Sequence, residues 1–567
     1  MTFSMWVPVW LLCSALCLFS QNKADLVLRN GKVVTMDAAK PYAQALAVRG
    51  GWILAVGTEN EIAVLTGPAT KIVDLGGKLA IPGLIEGHGH FMGVGEAQVN
   101  LKLGNARTWN EIVAMVAAAA KNAPPGTWIL GQGFHQSKWD QVPQPNVQGF
   151  PVHEELSKVS PNNPVWLTHA SGHAGMVNAV AMKQAEITPK TPDPAGGQIL
   201  KDSKGQPTGL LQEKAQGLLQ PAYRAYLSKR SPVEVEAQAR QQVELAVRES
   251  TANGITTFVD AGSSFETVDL LKRMAEEGKL DIRLWVMLRE PNARLAQSIK
   301  RYRIQDAGDH HLTVRAIKRA MDGALGSRGA WMLEPYSDLP GSSGINTEDP
   351  ADIQKTAAIA LANGFQLCVH AIGDRANREV LNIYEAAFKN NPGKSGLRWR
   401  IEHAQHLNPA DIPRFGKLGV IAAMQGIHCT SDAPYVIPRL GRKRAEEGAY
   451  PWRSLLDSGA VIANGTDAPV EEVNPIASFT ASVTRKTKDG STFFGAQKMT
   501  REEALKSYTL ANAYAAFEDD QKGSLTPGKL ADITILSQDI MTVSDYELPK
   551  TRVASTIVGG KIVYTAK

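Results

Sequence analysis

Two histidines, His88 and His90, close the run Leu84-Ile85-Glu86-Gly87-His88-Gly89-His90, directly after the apolar stretch ending in Ile81-Pro82-Gly83. Side chains alternate along a β-strand, so residues two apart face the same way. Two imidazoles at a strand end can therefore grip one metal ion. His-x-His alone carries little weight, but His370, His403 and Asp467 each end an apolar run farther along the chain. Zinc takes imidazole nitrogen and carboxylate oxygen, and its catalytic sites keep a position open for water. Five candidate ligands exceed one tetrahedral shell, so a second ion is allowed, and two close cations need a bridging anion. Lys318 sits in Ile317-Lys318-Arg319-Ala320. An ammonium facing a barrel interior is costly, and burial beside cations favours the neutral amine. A neutral amine can add carbon dioxide and become an anionic carbamate.

These residues need a frame that brings them to one place. Apolar, β-branched runs occur at Leu84–His88, Thr256–Asp260, Arg283–Leu288, Thr313–Ala320, Gln366–His370, Arg398–His403, Val420–Gln425 and Val461–Gly465. Helical patterns such as Ala351–Asn363 and Arg375–Lys389 follow several of them. Eight strands alternating with helices predict an α/β fold, a parallel (β/α)8 barrel of the TIM type. Active sites of such barrels lie at the C-terminal strand ends, where the suspected ligands fall.

Both chain ends are β-rich and turn-punctuated, at Asn30-Gly31, Gly50-Gly51 and Gly559-Gly560. They predict one small β-sandwich domain assembled from residues 21–82 and 516–567, flanking a hydrolase barrel over 83–515. The interval between the first and second barrel strands is far longer than a loop. It predicts an inserted subdomain over about residues 100–235, with a helix at Trp109–Lys121 and strands at Thr127–Leu130 and Val165–Thr168. Placed after a barrel strand, the insertion should cover the metal site.

Composition narrows the class. Hydrophobic content of 43% and charged content of 21% fit a soluble globular chain, and 567 residues exceed one ordinary core. A net charge of +5, with scattered basic residues, gives no nucleic-acid surface. The partner to expect is a small-molecule substrate, with a homo-oligomer left open. Met1 to Ser20 reads as an export signal, because the apolar run Trp6–Phe19 is shorter than the roughly 20 residues of a membrane span. Its start lacks Lys and Arg, so an uncleaved membrane anchor is the alternative; no second hydrophobic span follows. The chain is therefore expected outside the cytoplasm, periplasmic or secreted. Cys13 and Cys17 lie in that leader, and Cys368 and Cys429 alone make no disulfide framework.

The chain resembles the amidohydrolase superfamily, most closely its YtcJ-like branch, amidohydrolase family 3. The resemblance rests on the first-strand histidines, with Glu86-Gly87 before them, and on Lys318-x-x-x-Asp322-Gly323 followed by Ser327-Arg328. His370-Ala371-x-Gly373-Asp374, Ile401-Glu402-His403, Gln425-x-x-His428-x-x-x-Asp432 and Gly465-Thr466-Asp467-Ala468-Pro469 follow in order, ahead of the tail Gly523-Ser524-Leu525-x-Pro527-Gly528. It implies a metal-activated water attacking a C–N bond other than a peptide bond. His88, His90, Lys318, His370, His403 and Asp467 would be ligands to one or two zinc ions, and Asp467 the general base. It also implies a carbamate on Lys318 as bridge; the alternative is a plain lysine beside a single ion.

His173, in Gly172-His173-Ala174 of the insertion, resembles a substrate-contacting element of that branch. His428 and Asp432 follow the seventh strand and Gln425 ends it, and all three join His173 as candidate substrate contacts; Asp322, after the fourth strand, either contacts substrate or anchors Lys318. His406 reads as a neighbour of the ligands, while His135 and His169 are outside candidates for lining the pocket. Two other functions fit the same frame: a heterocycle deaminase using one metal, and a binding protein that has lost hydrolysis. The intact ligand set argues against the second. The substrate is not legible, because specificity belongs to the insertion and the loops.

Overall fold

The computed structural model describes residues 23–567. The predicted export signal lies outside them. Among the described residues no helix is long and apolar enough to cross a membrane.

Eight strands form one parallel sheet in chain order: β1 (Leu84–Gly89), β2 (Ile255–Ser263), β3 (Arg283–Leu288), β4 (Leu312–Ala320), β5 (Gln366–Ala371), β6 (Arg400–His403), β7 (Ile421–Gln425) and β8 (Ile462–Gly465). A short strand, Ile304–Asp306, pairs antiparallel with β4. Burial on both faces explains why these strands read as apolar runs rather than alternating ones; β3, for example, is buried throughout. The helices Pro350–Asn363 and Asp374–Lys389 follow β4 and β5.

The sheet comes close to closing into the predicted barrel. The last contact is made just past the strand ends, where Asp467 N donates to His88 O at 2.8 Å and His90 N to Ala468 O at 2.7 Å. Gly465 permits this approach, since a Cβ there would fall 2.6 Å from His88 N. Glu86 completes the seam by accepting from the Thr466 amide and hydroxyl.

Between β1 and β2 the chain builds a separate six-stranded sheet. Its order is Gly197–Lys201, Pro207–Glu213, Ala174–Val177, Val165–His169, Ile129–Phe134, Leu101–Lys102. The helix Trp109–Asn122, capped by the Thr108 side chain, buries Trp109, Ile112 and Val116 in its core. The capped helix Pro232–Ala252 then returns to β2. Together with the barrel this makes one compact unit, Glu86–Asn253 and Thr257–Tyr508.

A second unit comprises, among the described residues, those from Lys23 to Ile85, Gly254–Thr256 and Thr509–Lys567. It holds a four-stranded and a six-stranded sheet, and the latter interleaves both termini: Leu79–Pro82 pairs antiparallel with Ile533–Leu536. Leu28, Leu46, Ile533 and Ile557 share one apolar core drawn from both sheets.

Candidate metal centre

The register of the barrel delivers the predicted ligands to one end. His88 is the penultimate residue of β1, His370 of β5, and His403 the last of β6, while Asp467 lies two residues beyond β8. Strand alternation ends at the last two, whose φ values of +78° and +59° turn the backbone into the left-handed region. Asp467 is the hub. Its Oδ1 lies 3.2 Å from His90 Nε2 and 3.5 Å from His88 Nε2, and its Oδ2 4.0 Å from His403 Nδ1. Donor atoms of His88, His403 and Asp467 all fall within 4.8 Å of one another. The His370 ring packs 4.5 Å from that of His403.

The donor set fits a metal ion. His88 Nε2, His370 Nε2 and Asp467 Oδ1 are buried and make no hydrogen bond, an expensive condition unless another group claims them. The ligand rings are also held from behind. His88 Nδ1 donates to Glu402, whose carboxylate is gripped by Arg400 through Nε at 2.7 Å and Nη2 at 2.8 Å. His403 Nδ1 donates to Gln425 Oε1 at 2.8 Å, and the Gln425 amide donates onward to Ala423 O. Such backing fixes ring orientation and tautomer in metal sites.

Charge is arranged accordingly. Burial holds His88, His370 and His403 well below the usual imidazole range, so they are neutral donors. Burial alone would raise Asp467, but His90 and His88 pull its carboxyl well below the ordinary range. Burial pushes the Lys318 amine down to about 8.

A cavity of about 460 Å3 opens over these groups, lined by His90, Lys318, His370, His403 and Asp467 on the barrel side and by His169, His173 and Glu213 from the insertion. His173 Nδ1 donates to Glu213 Oε2 at 2.6 Å, and its ring lies 4.8 Å from that of His370. Burial would lower His173, but the Glu213 carboxylate raises it above the usual imidazole range. A smaller adjoining pocket is lined by His135, His428, Asp432 and Tyr435, among others. There Gln405 Nε2 meets His428 Nδ1 at 2.8 Å, and His428 Nε2 is buried without a partner. Asp432 accepts from the hydroxyls of Tyr435 and Tyr450.

Two of the candidate substrate contacts have partners of their own within the protein. Gln425 stands behind His403 rather than among the residues lining either pocket. Asp322 borders the cavity, but its carboxylate is taken up by the backbone amides of Trp331, Ile372 and Gly373, which ties the loops after β4 and β5. Burial nevertheless pushes it up to about 8. Both outside candidates, His135 and His169, do line pockets.

Glu402, Arg400 and Glu213 are functional neighbours that stand outside the candidate residues named from the sequence. Arg400 and Glu402 did leave a signal: opposite charges two apart in an apolar strand share one face and form a buried pair. Glu213 left none, since it meets His173 only through the antiparallel pairing of Ala174 with Gln212.

The histidine and aspartate cluster lies at the C-terminal mouth of a nearly closed parallel barrel, where barrels of this type keep their active sites. The model of the amidohydrolase family matches residues 71–564, and the chain belongs to that family. It is 33% identical over 560 residues to Protein LONG AFTER FAR-RED 3 of Arabidopsis thaliana, covering 95% of this chain and 92% of the relative. It is 28% identical to YtcJ of Bacillus subtilis and 29% identical to the N-substituted formamide deformylase of Arthrobacter pascens, covering 95% of this chain and 99% and 98% of those. An uncharacterized metal-dependent hydrolase from Pyrococcus horikoshii OT3 has the same fold, with a TM-score of 0.72 at 24% identity over 92% of this chain and 99% of its own.

Proposed function

We propose that this protein hydrolyses a C–N bond other than a peptide bond in a small N-acyl or N-formyl compound, and that its leader exports it. The observation that carries this reading is the convergence of buried, unpartnered imidazole and carboxylate atoms of His88, His370 and Asp467, the last two of which line the cavity. The relative named as an N-substituted formamide deformylase supports an N-substituted amide as substrate.

His88, His90, His370, His403 and Asp467 would hold a divalent cation, and their imidazole and carboxylate chemistry favours zinc. When bound, such an ion supplies Lewis-acid polarisation of the acyl oxygen and lowers the pKa of water towards neutrality. Lys318, carried as a carbamate, would add an anionic bridge for a second ion. Asp467 stays ionised at neutral pH, so its carboxylate can take the proton of the attacking water and pass it to the leaving nitrogen. His173 and His428 face the two pockets and would hydrogen-bond the acyl substrate from either side.

A second reading has one observation in its favour. The tight trio of His88, His403 and Asp467 has the span of a single-ion site, which suits deamination of a heterocycle. One screen separates the readings: purified protein, its metal content measured, is offered N-formyl amines, N-acyl amines, lactones and aminated heterocycles. Turnover of an amide, lost on chelation and restored by zinc, supports the hydrolase. Ammonia release with one tightly bound metal supports the deaminase. No turnover of any compound at full metal loading overturns both and leaves a binding protein.

A further inference from the structure

His173 reaches the cavity from the insertion, and its geometry is set by Glu213. The Nδ1–H bond to Glu213 Oε2, at 2.6 Å, leaves Nε2 as the nitrogen free for the cavities that His173 lines. Glu213 itself is held in a strained backbone, φ +50° and ψ −126°, outside the helical, extended and left-handed regions. Such conformations persist only where the surroundings over-determine them, and they cluster at functional sites. The surroundings here are a cradle of two glycines: a Cβ at Gly323 or Gly329 would collide with Glu213 Oε1. The same strand end is tied to the same loop by Gln212 Nε2, which donates to Ser327 O at 2.9 Å. Glu213 Oε1 is buried with no hydrogen-bond partner. A residue serving packing alone would not leave a carboxylate oxygen stranded, because burial without a partner costs about 1–3 kcal/mol or more.

We propose that Glu213 is a positioning residue, which clamps His173 through Nδ1 so that Nε2 faces the acyl substrate over the barrel mouth. The proposal rests on the hydrolase reading above for what His173 touches. The clamp itself stands on the bond, the strained backbone and the glycine cradle.

The test uses the zinc-loaded enzyme and the best amide from the screen. The variants are Glu213→Gln, Gly329→Ala, His173→Gln and the double variant His173→Gln with Glu213→Gln. Gly329→Ala attacks the clamp from the other side: the easiest relief for the new methyl group is to push the Glu213 carboxylate off His173. Glu213→Gln and Gly329→Ala should each lower kcat about 10- to 100-fold, with KM little changed and zinc content intact. The double variant should be no slower than His173→Gln alone. In 15N spectra of the imidazoles, the His173 signals, assigned by their loss in His173→Gln, should shift in both clamp variants. Losses that add in the double variant, loss of zinc, or an unmoved His173 signal would each overturn the clamp. If Glu213→Gln does not fold, Gly329→Ala reads the same quantities. Failure of the wild type to turn over any amide would count against the hydrolase reading, and the nitrogen spectra would still decide the clamp.

Discussion

Glu402 accepts the Nδ1 hydrogen of His88, and both side chains are shut away from solvent. Arg400 grips the same carboxylate from below. The arrangement turns His88 Nε2 towards Asp467 and orients the ring without any help from the ion it would bind, while burial keeps the imidazole neutral. Glu402→Gln should therefore weaken zinc binding about 10- to 100-fold, measured by competition with a chelator of known affinity. Undiminished affinity would show that the ring is held by packing alone.

Asp467→Asn keeps the shape of the hub and removes its basicity. Turnover should fall by about 10²- to 10⁴-fold, while the circular dichroism spectrum and melting temperature stay close to those of the wild type. Near-normal activity would remove Asp467 from its role as base.

Lys318→Met removes the amine but keeps an unbranched apolar stem in the barrel. If the amine carries a carbamate between two ions, the variant should bind fewer metal ions per chain, read by elemental analysis, and bicarbonate should cease to affect reconstitution of the metal-free protein. Equal stoichiometry in wild type and variant would favour a single-ion site with a plain lysine.

His406 tests the electrostatics away from the ligands. Both of its ring nitrogens are buried without a hydrogen-bond partner, and burial pulls its pKa down to about 4. An unfolded histidine titrates near 6.5. Between those values the unfolded chain binds a proton that the folded one refuses, so stability falls as pH drops below 6.5 and levels off below about 4. The loss is on the order of 3 kcal/mol at most. His406→Phe should remove this component, so the variant gains on the wild type in denaturant midpoint at about pH 5 relative to about pH 7.5. Equal midpoint shifts in the two proteins would contradict the assignment.

The barrel was readable because parallel strands are buried on both faces, which leaves continuous apolar runs such as Arg283–Leu288 with little ambiguity. The candidate ligands could be picked out because strand ends are where such barrels keep chemistry, and His88, His370, His403 and Asp467 all stand at one or just beyond it. What surrounds them was harder to see. Gln425 sits at the last position of β7, which suggested the pocket, yet the backbone turn at His403 brings that ring against it. Asp322 follows β4 and borders the cavity as its position suggests, but its carboxylate also holds two loops whose course no local pattern reveals. The partner of His173 lay 40 positions away, on a strand whose register is fixed only by the insertion's own folding. Periodicity reports which face a residue takes; it does not report which distant residue shares that face.

Anomalous diffraction from crystals of the zinc-loaded protein tests most directly whether one metal centre forms from His88, His90, His370, His403 and Asp467. A peak at the barrel mouth, at about 2.0–2.2 Å from His88 Nε2 and a carboxylate oxygen of Asp467, is the expected result. Full zinc loading with the peak elsewhere, or with His88 and Asp467 both outside its coordination sphere, would contradict the account.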